Sequence, residues 1–489
     1  MEDTTAFFNN ELVCEDSRLS EAIEKLWKSD LLGSVRPQRG PQPPASNFFR
    51  VLVYNFILAE DEALAFPMDK AAIEFQTNRY NKSKLTHNVT KYVERLSEEG
   101  LVDLQKGSRE SGKRTTLRPT AELQQLVSDL RPLAHLISNQ LEPIEVRHER
   151  RRLDYDDTEH TKAWRETLQR HADLLGAVEV TFRPNGTDAP VTIPSQSLNY
   201  RRLFSRGSWD CGGRLYCDSV QALRRRSVQE RQTITFDGAT TVEPDYSGQH
   251  PRILYLLEGT AAADDVDMYS AWSGIELSKK LAGRSTSDRR DLAKFLMLAA
   301  LNAKTADDAC GAAKKALDNK PPVPKRDARA LYKAMKQHHA AVAHHFSSDI
   351  GIRLQRLDSD IMLLVMAEMT TRRLACLSVH DSLICRQDDE AVAVGLMHTA
   401  SLFYLGHPLP VDSLTNPKVE RLGLCSDLYA IESKAAREQD IPLGLHRLRQ
   451  PAARVSVSER EEQRRSRASK QRKLRKEKER LEWEDAEIL

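Results

Sequence analysis

Apolar positions along this chain change their period several times, and each change marks an element. Between Ser83 and Thr120, Val89, Tyr92, Val93 and Leu96 fall on one face of a helix that Gly100 ends. Leu101 to Lys106 and Arg114 to Leu117 then alternate as two strands around the polar tip Gly107 to Gly112. From Ala121 to Leu175 the pattern is helical and charged, and from Gly176 to Ile193 it alternates as strands. Past Asn199, a Gly213-Arg214-Leu215 turn precedes a pair of strands. The strand-like Thr240-Thr241-Val242-Glu243-Pro244 delivers Asp245-Tyr246-Ser247, and an apolar helical run follows. The next stretch is mostly helical until two apolar runs flank His380-Asp381-Ser382, the pattern of a hairpin whose turn carries function.

The proline-rich segment Arg36 to Pro44 separates a short N-terminal piece from the rest. At 489 residues the chain exceeds one ordinary core, and an apolar content of 40% is enough to fold it. A formal net charge of +2 conceals an uneven distribution, with basic clusters at Arg147 to Arg152, at Arg224 to Arg226 and in the tail Ser458 to Leu489. That tail lacks a heptad seam, so it reads either as a solvated arm or as a salt-sensitive grip on phosphates. The seven cysteines are scattered without a Cys-x-x-Cys pair, which excludes a disulfide framework or zinc ribbon and leaves buried thiols. No apolar run approaches the roughly eighteen residues of a membrane span, and the acidic N-terminus is unlike a leader. The expected location is cytoplasmic, with no membrane partner. His338-His339 and His344-His345 stand among alanines with no acid or cysteine beside them, so they read as a helix face rather than a metal site.

Helix, strand, basic tip, strand resembles a winged helix-turn-helix domain. The resemblance implies that Thr86, His87, Asn88, Lys91, Arg109, Lys113 and Arg114 contact DNA, the alternative being a winged helix used only for protein contacts or packing. Farther on, Asp245 and Asp381 end strands, and they share a site only if those strands pair. Two such carboxylates suit a pair of magnesium ions in phosphoryl transfer. Arg290 and Lys294, one turn apart on one helix face, supply cations for a triphosphate.

These segments resemble the palm and fingers motifs of family A DNA polymerases and the related single-subunit phage RNA polymerases. Asp245-Tyr246-Ser247, with Arg252 in register, resembles the first palm motif, and Val379-His380-Asp381-Ser382 resembles the last. Arg290 and Lys294 match the Arg-x-x-x-Lys of the fingers helix. Gly213-Arg214-Leu215, and Gln355 with Asp360-Ile361, are weaker matches in the right order, and the resemblance spans Arg201 to Arg386. It implies that Asp245 and Asp381 are catalytic and bind the metal, and that Lys294 protonates the leaving pyrophosphate. Arg290, Lys294, His250 and Tyr246 would bind the nucleotide, while Arg214, Gln355 and His380 would meet primer or template. The implied cofactor is a pair of magnesium ions, with manganese as the alternative. The implied partners are nucleoside triphosphates and DNA, with RNA open as primer or template. His250 replaces a glutamate that screens the sugar, and Leu298-Ala299 and Asn302-Ala303 replace Phe-Gly and Tyr-Gly, so the choice of sugar stays open.

The expected fold is α+β, a right-hand polymerase-like palm with helical fingers, preceded by a winged helix. The expected divisions are an N-terminal segment and linker over 1–45, a winged helix over 46–120 and a helical, thumb-like connector over 121–198. The palm is expected over 199–260 and 351–430, fingers over 261–350, and a basic tail over 431–489. The expected activity is template-directed nucleotidyl transfer, primer synthesis included as an option, in the service of a phage, plasmid or other mobile element. The alternative is a non-catalytic DNA-binding regulator or replication-initiation factor with a degenerate polymerase fold.

Overall fold

The computed structural model describes residues 5–456 apart from 10–11, 15, 34, 37–42, 60–61, 67, 69–78, 82, 87, 108–113, 140–141, 150, 185–186, 224–229, 270–284, 314–322, 418–420 and 454. His87, Arg109, Lys113 and the tail from 457 onward therefore lie outside the described residues, whereas 431–456, expected as the start of the basic tail, are described apart from 454 and hold the end of one helix and the whole of another. The chain is mixed α+β and divides into two compact units, Met1–Glu142 and Pro143–Leu489.

In the first unit, β1 (Thr5–Phe7) runs parallel to β2 (Ala63–Ala65), and β4 (Thr116–Pro119) and β3 (Val102–Gln105) complete an antiparallel edge. Helices α1 (Ser17–Lys28), α2 (Pro43–Ala59), α3 (Val89–Glu98) and α4 (Ala121–Leu130) enclose one core. Ile23, Phe48, Phe56, Val93, Leu117 and Val127 meet in it, so the apolar face read along α3 is the buried face. Gly100, at φ 71°, takes the left-handed conformation that an L side chain resists, and the Leu101 amide reaches back across it to the Leu96 carbonyl at 2.9 Å. The predicted helix stop is thus a hydrogen-bonded cap.

The second unit opens with a departure from the helical pattern expected after Ala121. Ile144 and Val146 alternate with Glu145 and Arg147, and they form strand β5 (Ile144–His148) before α5 (Glu159–Gly176) begins. Two buried residues two apart outweigh the surrounding helical charge pattern. Strand β5 lies parallel to β8 (Arg201–Phe204), which pairs antiparallel with β9 (Gly212–Tyr216). A larger sheet has the order β7 (Val191–Thr192), β6 (Val180–Phe182), β10 (Thr235–Phe236), β11 (Ala239–Val242), β14 (Ser382–Arg386), β12 (Asp245–Tyr246) and β15 (Val411–Asp412). Strand β13 (Cys376–Val379) covers the other edge of β14. Helix α6 (Gln249–Leu257) leaves β12, and α7 (Thr286–Asn302), α8 (Ala306–Ala313) and α9 (Lys325–His338) follow. Helix α10 (Gly351–Thr371) is buried along most of its length between β9, α5 and α11 (Glu390–Leu405). Helices α12 (Asp427–Ala436) and α13 (Leu443–Arg449) close the unit. No described helix is long and apolar enough to cross a membrane.

Candidate active site

The stretch from Val242 to Gln249 turns a strand into a helix in eight residues. Proline has no amide hydrogen, so Pro244 ends the regular ladder of β11, yet its carbonyl still accepts from the Leu383 amide at 3.0 Å. Asp245 then faces Ser382 on one side and Asp412 on the other. Gly248, at φ 62°, makes the turn into α6, and a Cβ there would stand 2.8 Å from the Met268 side chain. Only glycine fits both the conformation and the space.

Across the ladder, Val379 pairs with Ser382, so His380 and Asp381 are the two turn residues of the β13–β14 hairpin, with His380 at φ 58°. The Tyr246 amide donates to the Asp381 carbonyl at 3.3 Å. Asp245 on β12 therefore lies beside the hairpin turn that carries Asp381, both half-buried. Two hard oxygen donors so placed, with Asp412 in register beside Asp245, fit the chemistry of magnesium ligation.

The cations approach this corner from α7. Arg290 lies over the Tyr269 ring at 5.4 Å and Lys294 over the same ring at 5.8 Å. Burial raises the Tyr269 phenol pKa; Asp381, Asp245 and Asp267 raise it further, and Arg290 opposes them. All these groups share one electrostatic neighbourhood. Arg290 is held by Asp267 at 2.9 Å, and Asp267 Oδ1 also accepts from the Tyr269 amide at 3.1 Å. The loop that carries Asp267 is clamped by Arg252, which donates to the carbonyls of Ala262, Ala263, Asp264 and Val266. Arg252, aligned with a motif position, acts here as a structural clip.

Other expected site residues are placed differently. Tyr246 was expected at the nucleotide, but its ring is 3% exposed and its hydroxyl donates to the Met397 carbonyl at 2.5 Å. The alternation of the strand turns it to the face opposite Asp245. His250 is 6% exposed, and its Nε2 lies 2.8 Å from Asp358 Oδ2, which Arg214 also contacts at 2.6 Å. Burial alone would raise the Asp358 pKa, but Arg214 and His250 hold it below the usual carboxylate range. His250 and Arg214 are thus tied to one buried acid on α10. Burial and then Arg214 lower the His380 pKa, which keeps a ring packed edge-on to Tyr216 neutral. Gln355 is half-buried on α10, one turn before Asp358. Lys91 and Arg114 are exposed in the first unit.

Sequence reading missed Asp267, Tyr269 and Asp412. The first two lie in a loop without periodicity, and Asp412 belongs to a strand of two residues; only the fold carries the signal. A cavity of about 820 Å³ between α5, α10 and α12 shares no lining residue with this corner.

No family model matches the chain, and no curated protein does. A solved structure similar to it is the POL domain of Pol1 from M. smegmatis in complex with DNA primer-template and dNTP. The identity is 11% and the TM-score 0.31, over 82% of this chain and 66% of that one, so this chain spans just under two thirds of that domain. At that score the likeness adds nothing to what the corner itself shows.

Proposed function

We propose that the second unit performs template-directed nucleotidyl transfer at the corner where β12 meets the β13–β14 hairpin. The observation that supports this reading is that β12 sets Asp245 beside the hairpin turn carrying Asp381, while Arg290 and Lys294 lie over Tyr269, whose phenol both acids influence. Asp245 and Asp381 would hold two magnesium ions, which supply charge neutralisation to the triphosphate and to the attacking and leaving oxygens. Arg290, once it exchanges Asp267 for phosphate, grips the triphosphate through its planar fork. Lys294 Nζ gives a proton to the departing pyrophosphate. His380 in the hairpin turn, and Gln355 half-buried on α10, would serve as contacts for primer and template, while Arg214 would act through its hold on Asp358.

In the first unit, α2, β2, α3, β3 and β4 follow one another as in a winged helix, and this order supports a role in holding DNA. Exposed Lys91 on α3 and Arg114 beside β4 belong to the face that would neutralise phosphates. The withdrawal of Tyr246 and His250 into packing contacts favours a second reading, a DNA-binding factor without turnover.

One assay separates the two. Full chain, magnesium, a primed template and labelled nucleotides of both sugars should give extended primer, and omission of the primer tests for priming. DNA binding without incorporation of either sugar, in magnesium and in manganese, would reject the enzyme and leave the binding factor.

A further inference from the structure

His344 and His345 lack an acidic neighbour in sequence, but the fold supplies one. Glu258 caps the C-terminal end of α6, its amide bonded to the Leu254 carbonyl at 3.1 Å. The two histidines end the 3₁₀ turn Ala340–His345, which packs on α6. Glu258 Oε1 lies 2.8 Å from His345 Nε2 and 3.2 Å from His344 Nε2, and the three donor atoms all fall within 4.8 Å of one another. Ligands about 2.0–2.2 Å from a tetrahedral ion stand roughly 3.3 Å apart, so the contacts to Glu258 are already near ligand spacing.

The supports are firm. The His345 side chain is 14% exposed, and its carbonyl accepts from the Ser348 hydroxyl at 2.7 Å. The same turn is tied to α6 a second time, because Tyr255 Oη lies 3.1 Å from His339 Nδ1.

We propose that Glu258, His344 and His345 form a site for a borderline divalent cation of the zinc class, with water as the fourth ligand, that staples the far end of α6 to the 340–345 turn. Two imidazoles and one carboxylate match that class, whereas magnesium demands oxygen donors. Helix α6 spans about 13 Å at 1.5 Å per residue, so the staple is distinct from the Asp245 and Asp381 corner and does not depend on its chemistry.

The test is calorimetric titration of chelator-treated full chain with zinc chloride, magnesium in excess. The wild type should bind zinc at this site and melt at a higher temperature with it. Glu258→Gln and His344→Ala should each weaken that binding by more than about tenfold, the lower range of what outer-shell changes alone produce. His344 is 59% exposed, so its loss spares the fold, and His338→Ala serves as the control that should leave binding unchanged. Absence of zinc binding, or binding that both variants retain, would overturn the proposal.

Discussion

Two pairs of aspartates lie in the second unit, and their surroundings are opposite. Asp358 and Asp360, on α10, are 0% and 1% exposed, and each is wrapped by basic side chains. Arg214 and His250 meet Asp358, while Arg202, Arg356 and Arg447 meet Asp360. Asp245 and Asp381 sit half-buried at strand ends, where the backbone ladder fixes them, and the nearby cations belong to another helix. A carboxylate taken fully out of water needs partners at once, because desolvation costs several kcal/mol. One left half-exposed at the rim of a sheet keeps part of its hydration and needs no such wrapping. Burial together with local cations thus marks the acids that hold the fold, and the rim acids are the ones that the proposed nucleotidyl transfer would use.

The largest expected effect comes from the buried pair. Asp360→Asn removes the carboxylate that Arg202, Arg356 and Arg447 share, and denaturant unfolding should show a loss of about 3–5 kcal/mol. Burial already lowers the Arg202 guanidinium pKa to about 9, and stacking 4.5 Å over Trp164 does not replace a counter-ion. A loss under about 1 kcal/mol would end the contrast between the pairs. The rim pair comes next. Asp245→Asn and Asp381→Asn should cut primer extension by about 10²–10³, or about 2.7–4 kcal/mol of transition-state stabilisation, with unfolding free energy changed by less than about 1 kcal/mol. Destabilisation equal to that of Asp360→Asn would make them structural acids after all.

The sequence made the hairpin legible because apolar runs on both sides of His380-Asp381 could only be strands around a turn. The end of α3 was legible because Gly100 does what glycine alone does cheaply. The direction of Tyr246 was not, although strand alternation opposes it to Asp245, because the motif draws both residues into one expected role. His250 and Arg214 were read as ligand contacts because their shared acid, Asp358, is more than one hundred residues away in sequence. Glu258 was missed for the same reason, and Asp267 and Tyr269 stand in a loop whose clamp is Arg252. Long-range pairing of charges carries no periodic signal.

A third effect reaches the hairpin from behind. His171 on α5 is fully buried with Nε2 2.9 Å from the Cys376 carbonyl of β13, and burial lowers its pKa to about 4. The folded value lies below the unfolded value of about 6.5, so the native state favours the neutral ring. Its contribution is whole above pH about 6.5 and is lost as pH falls toward 4, at about 1.4 kcal/mol per unit. Between pH 6.5 and 5 the wild type should lose about 2 kcal/mol from this group, and His171→Gln should show a shallower decline. Parallel slopes for the two would remove His171 as the cause.

The smallest effect tests the link between the rim acids and the α7 cations. Arg290 and Asp267 are 49% and 38% exposed, and a pair so exposed is worth about 0–1 kcal/mol. Asp267→Asn keeps an oxygen for the Tyr269 amide but weakens the hold on Arg290, so stability should change by less than about 1 kcal/mol. If Arg290 must leave Asp267 to meet a triphosphate, the competition is part of the cost of nucleotide binding. Its removal should lower the nucleotide KM by up to about fivefold, the equivalent of 1 kcal/mol, with kcat unchanged. A fall in kcat would instead make Asp267 a third acid of the rim, because a group that only restrains Arg290 cannot slow the step after the nucleotide has bound. Either result refines the contrast, since Asp267 stands between an acid that locks an arginine and the rim acids to which the proposed reaction assigns the metal.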